Sequence, residues 1–209
     1  KQGNTHFRNT NFCTYSELWT LNQKKFQDYL DLWQIKRDNV NKYIPKMKVL
    51  IFLHGTLIMH KSAEGKTRKE RVRQVENDDL SVHDYASYIP IGNAVEKLKS
   101  WQSQGAEILY LSSHEIAEDV EKDKIVLKKY NFPKGQIFYR QNSETYKDIA
   151  EKIIPDILIE DDCESIGGEK EMTITYVKPE IKQKIKSIVV KEFYGIDNLP
   201  SDLSDLLTP

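Results

Sequence analysis

The stretch Met47–His60, MKVLIFLHGTLIMH, decides the fold. Val49 to Leu53 is an unbroken apolar run, too short for an isolated helix, and it stops at His54-Gly55-Thr56. That pattern predicts a strand buried on both faces and ending in a loop. Side chains alternate along a strand, so Phe52 and His54 are expected on the same side of its carboxyl end, where open parallel sheets place their ligands. Gly55 permits the turn, and Thr56 brings a hydroxyl and a backbone N–H beside it.

Downstream, helical and strand-like patterns alternate. Ala94, Val95, Leu98 and Trp101 recur at helical spacing ahead of Gly105, and Glu107 to Leu111 reads as a second strand ending in Ser112-Ser113-His114. A helix carrying Ile116, Val120, Leu127 and Tyr130 precedes a third strand, Gln136 to Tyr139. Ser143 is the expected cap of the next helix, which buries Tyr146, Ile149, Ala150 and Ile153, and Ile157 to Ile159 is the fourth strand. Glu160, Asp161, Asp162 and Glu164 crowd its end. Strand-like Thr173 to Val177, a helix from Pro179 and a loosely ordered tail from Asn198 complete the chain. Strands alternating with helices of this length predict an α/β fold, a parallel sheet with helices on both faces. Such a sheet gathers His54 and Thr56, Ser112 to His114, and Asp161 and Asp162 at one crevice.

Ahead of the first strand, residues 1–45 read as an N-terminal helical arm. Thr14 to Glu17 has capping-box spacing, and Leu18, Leu21, Phe26, Tyr29, Leu30, Trp33 and Val40 recur at roughly helical intervals up to Pro45. That stripe suits either packing on the main domain or a homodimer contact. Residues 46–209 form the α/β domain, with a small insert at about 59–89. Within it, Lys66 to Arg73 holds five basic residues in eight, interleaved with acids. This reads as a solvated segment, with phosphate or nucleic-acid backbone binding the weaker alternative.

Composition narrows the classes. The chain has 209 residues, 30% of them charged, with 31 Lys+Arg against 32 Asp+Glu. There is no global charge pull toward nucleic acid or membrane, and no apolar run approaches the ~18 residues of a membrane span. Neither a transmembrane helix nor a secretory signal is expected, and a segment ahead of Lys1 is left open. Cys13 and Cys163 do not make a disulfide framework, which favours a reducing, cytoplasmic setting.

From about Met47 to Val177 the chain resembles the haloacid dehalogenase-like (HAD) superfamily, mostly magnesium-dependent phosphohydrolases on a Rossmann-like sheet. Phe52-Leu53-His54-Gly55-Thr56 aligns with the first motif, DxDGT. Ser112 matches the Ser or Thr of the second, Lys147 the basic residue of the third with Arg140 as competitor, and Asp161-Asp162 the acidic pair of the fourth. The resemblance implies that Asp161 and Asp162 hold Mg2+, that Ser112, Ser113 and the Gly55-Thr56 backbone bind phosphate oxygens, and that Lys147 neutralises charge.

The departures from that pattern carry as much weight. The family's nucleophile and its acid/base Asp fall at Phe52 and His54. Phenylalanine can neither attack phosphorus nor bind a cation, and no Asp or Glu occurs between Pro45 and Lys61 to replace it. The later acid of the fourth motif falls at Ile166, leaving Glu164 or Glu169 as substitutes. Two classes of function follow. In the first, the protein is an atypical phosphohydrolase in which His54 serves as base or nucleophile on a phosphorylated small molecule or nucleotide. A variant joins His54, His114 and a fourth-motif acid in a transition-metal site. In the second, the protein is an inactive pseudoenzyme that binds a phosphorylated ligand or a protein partner. Cys163 is read as unreactive because acids flank it.

Overall fold

In the computed structural model, which describes residues 23–32 and 46–208, the apolar run becomes strand β1 (Met47–Phe52). Val49, Leu50 and Ile51 are fully buried, as a strand covered on both faces requires. The chain leaves β1 through Gly55, at φ +79°, and runs into β2 (Ile58–Met59), which pairs antiparallel with β3 (Ile89–Pro90). Between these two strands lies the insert, built on helix α2 (Arg68–Glu76), where Thr67 and Glu70 form a capping box.

Helix α3 (Ala94–Ser103) leads to β4 (Ala106–Leu111), and α4 (Ala117–Lys129) to β5 (Gln136–Phe138). Helix α5 (Tyr146–Ile153) leads to β6 (Ile157–Asp161), and the short α6 (Pro179–Lys182) to β7 (Lys186–Val190). The sheet order is β5-β4-β1-β6-β7, with every neighbouring pair parallel. This is the Rossmann-like α/β arrangement that the sequence predicts, with β1 at its centre.

Two apolar layers hold the sheet. On one face Val49, Ile51 and Leu53 pack with Leu98 and Trp101 of α3 and Val126 of α4. On the other, Leu50, Leu109 and Leu158 pack with Ile149 and Ala150 of α5. Each fully buried aliphatic side chain contributes about 1.5–3 kcal/mol of transfer free energy.

Four details differ from the sequence expectation. Thr173–Tyr176 is a 3-10 turn, because the buried Glu160 carboxylate accepts the N–H groups of Thr173 (2.7 Å) and Ile174 (3.0 Å) and bends the segment off the sheet. The fifth strand is β7, beyond α6. Helix α5 is capped by Thr145 rather than Ser143, with Asp148 accepting both the backbone N–H (2.8 Å) and the hydroxyl (2.6 Å) of Thr145. The tail from Asn198 is packed: Leu203 and Leu206 are buried, and the Trp101 indole N–H donates to the Pro200 carbonyl at 3.0 Å.

The chain forms two units, Lys1–Pro45 and Lys46–Pro209. In the first, residues 23–32 form helix α1, with Phe26, Tyr29 and Leu30 exposed. The expected cap at Thr14–Glu17, and Leu18, Leu21, Trp33 and Val40, lie outside the described residues. Among the described residues no helix is long and apolar enough to cross a membrane.

Candidate active site

Strand ends bring His54, Ser112, Ser113 and His114 together. Ser112 is fully buried at the end of β4, and the chain turns there so that the Ser113 hydroxyl lies 2.7 Å from His54 Nδ1. The Ser113 backbone N–H also points at that nitrogen, at 3.4 Å. A nitrogen facing an N–H donor is an acceptor, so the ring proton sits on Nε2. His54 Nε2 in turn lies 3.0 Å from Asp123 Oδ1.

Asp123 lies on α4 and is fully buried. Its second oxygen accepts the Ser112 hydroxyl at 2.6 Å. Burial pushes its pKa upward, yet electrostatic attraction and a hydrogen bond from His54, the Ser112 hydroxyl and the nearby His114 hold it below the ordinary aspartate value. The sequence reading missed this residue. The signal was there: Asp123 falls three residues after Val120 and four before Leu127, so a carboxylate interrupts the apolar stripe of α4.

His114 completes the cluster. Its ring meets His54 edge to face, with centroids 4.6 Å apart, and lies against the Tyr85 ring at a 60° tilt, with centroids 4.3 Å apart. Its Nε2 is buried, has no hydrogen-bond partner and lies 3.6 Å from Asp123 Oδ1. Burial and the neighbouring His54 lower its pKa below the usual imidazole value. Among the described residues, His54, His114 and Asp123 are the one group of three whose ligand atoms converge, all within 4.8 Å of one another. His54 and His114 thus meet as the mixed-ligand variant expects, but the acid comes from α4 and not from the fourth motif.

These side chains open onto a cavity of about 410 Å³ lined by Phe52, His54, Gly55, Ser113, His114 and Arg140, among others. Phe52 and His54 both reach it, but their contacts diverge. Phe52 packs edge to face on Tyr146 at 5.0 Å, and His54 turns toward α4. Arg140 stacks over Tyr146 at 4.3 Å, pairs with Glu115 at 2.7 Å and has a buried Nε without a partner. Lys147 lies elsewhere: its ammonium contacts Asp148 at 3.0 Å and lines a neighbouring pocket of about 260 Å³ that shares Arg140 and Tyr146 with the larger one.

The acidic pair sits on the β6 side. Asp161 is buried, accepting the Thr56 hydroxyl at 2.8 Å on one oxygen and the Cys163 N–H at 3.0 Å on the other. Burial raises its pKa. Asp162 accepts Lys191 Nζ at 2.8 Å and the Glu192 N–H at 2.9 Å, with Arg68 at 3.5 Å. Despite its partial burial, Lys191 and the Glu192 N–H hold its pKa below the ordinary value.

The acid that joins Asp161 and Asp162 is Glu192, just beyond β7; Glu164 pairs with Arg68. Glu192 accepts the Ser165 N–H and hydroxyl, and burial together with the two aspartates pushes its pKa up to about 7. The Gly55 N–H is committed to the Ile58 carbonyl at 3.0 Å, and Thr56 is fully buried. In the basic segment, Arg68 also donates to the Glu192 carbonyl, and Arg71 bonds the Ala63 and Phe193 carbonyls. His60 bonds Gln74, His83 bonds Asp78, and burial with the surrounding acids pushes the Cys163 thiol up.

The magnesium site of the resemblance does not fit these residues. Phe52 offers no oxygen, both Asp161 oxygens are engaged by protein donors, and Asp162 is already neutralised by Lys191 and Arg68. The donor set that does converge, two imidazoles and one carboxylate, is of the kind that favours transition metals.

No family model matches the chain, and no curated protein matches it. Among solved structures the chain is similar to a class C acid phosphatase from Bacillus anthracis, at 16% identity over 81% of this chain and 77% of that one, with a TM-score of 0.47. It is similar to phosphoserine phosphatase at 15% identity over 71% of this chain and 94% of that one, TM-score 0.36. It also resembles a chain of the Pnkp1/Rnl/Hen1 complex at 16% identity over 72% of this chain and 50% of that one, TM-score 0.45. The strand order, not these likenesses, fixes the α/β class.

Proposed function

We propose that this chain is an atypical HAD-like phosphohydrolase in which Ser113, His54 and Asp123 replace the missing aspartyl nucleophile. The observation that carries the reading is the chain of contacts from Ser113 Oγ to His54 (2.7 Å) and from His54 to Asp123 (3.0 Å), opening onto the cavity. In this reading His54 Nδ1 takes the Ser113 proton as Oγ attacks phosphorus, and the imidazolium returns that proton to the departing oxygen. Asp123, acting through its contact with Nε2–H, keeps the ring in the required tautomer and stabilises its positive charge. Water then attacks the phosphoserine: His54 takes the water's proton and passes it to Ser113 Oγ as the O–P bond breaks, which releases phosphate and restores the hydroxyl. Arg140, on the cavity wall, supplies positive charge for the phosphoryl oxygens. No step uses magnesium. The ligand is a phosphorylated small molecule or nucleotide, since the cavity volume suits a small ligand.

A second reading, binding without turnover, draws on Phe52, which fills the usual nucleophile position and packs on Tyr146. The two readings separate in an assay of nucleotides, sugar phosphates, an aryl phosphate and an aryl acetate, in the presence of a chelator. Phosphate release that is lost in His54→Ala supports hydrolysis. Tight binding of a phosphorylated ligand without release supports the binding role. Turnover of the acetate alone contradicts the phosphate assignment.

A further inference from the structure

We infer that His54 Nε2, His114 Nε2 and Asp123 Oδ1 form a binding site for a transition-metal ion of the zinc class, and that filling it switches the hydrolytic relay off. The second clause rests on the proposed function; the first does not. Two observations on the cluster point to an ion. First, His114 Nε2 is a buried nitrogen with no partner, and it faces a carboxylate oxygen 3.6 Å away, beyond hydrogen-bond reach. Leaving such a group unpaired is costly, and a cation between the two atoms satisfies both.

Second, the spacing suits an ion. Ligands at 2.0–2.1 Å from a tetrahedral zinc lie about 3.3 Å apart. The His54–Asp123 and His114–Asp123 separations are 3.0 and 3.6 Å, and each of the three residues offers a ligand atom within 4.8 Å of those of the other two. Two nitrogens and one oxygen favour zinc, cobalt or nickel over magnesium. The surroundings also resemble those of a built metal site. Ser112 orients the Asp123 carboxylate at 2.6 Å, and Ser113 contacts the outer nitrogen of His54 at 2.7 Å. His54 and His114 line the cavity, from which a solvent or ligand atom could complete the ion's coordination.

The switch follows from the His54 tautomer. A nitrogen that ligates a metal carries no proton, so the ring proton moves from Nε2 to Nδ1. Nδ1 then donates to Ser113 Oγ and can no longer accept its proton. The ion also takes the Asp123 oxygen that supports the relay. Metal binding and the relay therefore use the same two atoms and exclude each other.

The test titrates chelator-treated, full-length protein with Co2+ and follows visible d–d absorption; zinc is read by displacement of cobalt, and aryl phosphate turnover is followed in parallel. One cobalt per chain is expected, with loss of the band in His114→Ala and in Asp123→Asn and a roughly 10–100-fold weaker affinity in Ser112→Ala. Circular dichroism of each variant establishes that it is folded. Zinc is expected to suppress turnover in proportion to occupancy, with recovery on chelation. No cobalt band in folded wild-type protein, or a band undiminished in both His114→Ala and Asp123→Asn, overturns the site. Zinc that raises turnover overturns the switch. Cobalt binding in a protein that hydrolyses nothing supports the site and contradicts the hydrolytic reading instead.

Discussion

His54 and Asp123 stand 69 positions apart and meet at 3.0 Å, the imidazole on the loop after β1 and the carboxylate on a buried face of α4. The carboxylate is withdrawn from solvent while the His54 ring reaches the cavity, so in the relay Asp123 acts on the cavity through His54. In the proposed relay, Asp123→Asn keeps the shape but offers an amide where the ring needs an acceptor. Turnover is expected to fall about 10³–10⁴-fold with a much smaller change in KM. Steady-state kinetics against the aryl phosphate check this.

Truncating the same residue is a stability experiment. Asp123→Ala leaves the His54 and Ser112 donors facing a buried gap. A loss of roughly 2–5 kcal/mol is expected in urea unfolding, against a smaller loss for Asp123→Asn.

Restoring the family's aspartate is not expected to restore its chemistry. Phe52→Asp removes a ring packed on Tyr146 and places a charge against the apolar layer around Leu50 and Leu111. The expected result is a loss of about 2–4 kcal/mol with no magnesium-dependent phosphatase activity. Calorimetry and a magnesium titration of turnover measure the two parts.

Much of the sheet was legible because its strands are apolar runs closed by polar loops: β1, β4 and β6 each announce themselves this way. β7 was less visible, since Lys186 and Ser187 dilute its start and the more strand-like Thr173–Val177 lies just before it. What diverted that decoy was the long-range pull of Glu160 on Thr173 and Ile174. The same limit hid half of the site. His54 and Ser113 sit in loops that follow obvious strands, whereas Asp123 and Glu192 matter through partners distant in sequence. Asp123 still left a trace as the charged break in an apolar helix face, and Glu192 left none once β7 went unread.

Glu192 gives a pH prediction. Its folded-state value of about 7 lies above the 4.5 of an ordinary glutamate, so the folded protein holds that proton more tightly than the unfolded chain does. The resulting stabilisation is complete below pH 4.5 and is lost as the pH rises through 7. A decline on the order of 2–3 kcal/mol across that window is expected from this group, and a flatter profile in Glu192→Gln. Tm measured against pH in both proteins decides it.

Gly55 is tested by one methyl group. At φ +79°, a Cβ there would lie 2.8 Å from Asp161 Oδ2 and 3.2 Å from Glu192 Cγ. Gly55→Ala is expected to destabilise the protein by about 1–3 kcal/mol and to shift His54 on the adjoining residue, lowering turnover as well. Thermal melts and kinetics on one preparation separate the two effects.

The most direct test of the central claim is to quench the protein in acid during incubation with an aryl phosphate, whose good leaving group makes the second step of the proposed reaction limiting, and to map any phosphorylated peptide by mass spectrometry. The account predicts phosphoserine at Ser113, absent in Ser113→Ala and much reduced in His54→Ala. Turnover that continues in Ser113→Ala, or phosphate found on an aspartate or glutamate, would contradict it.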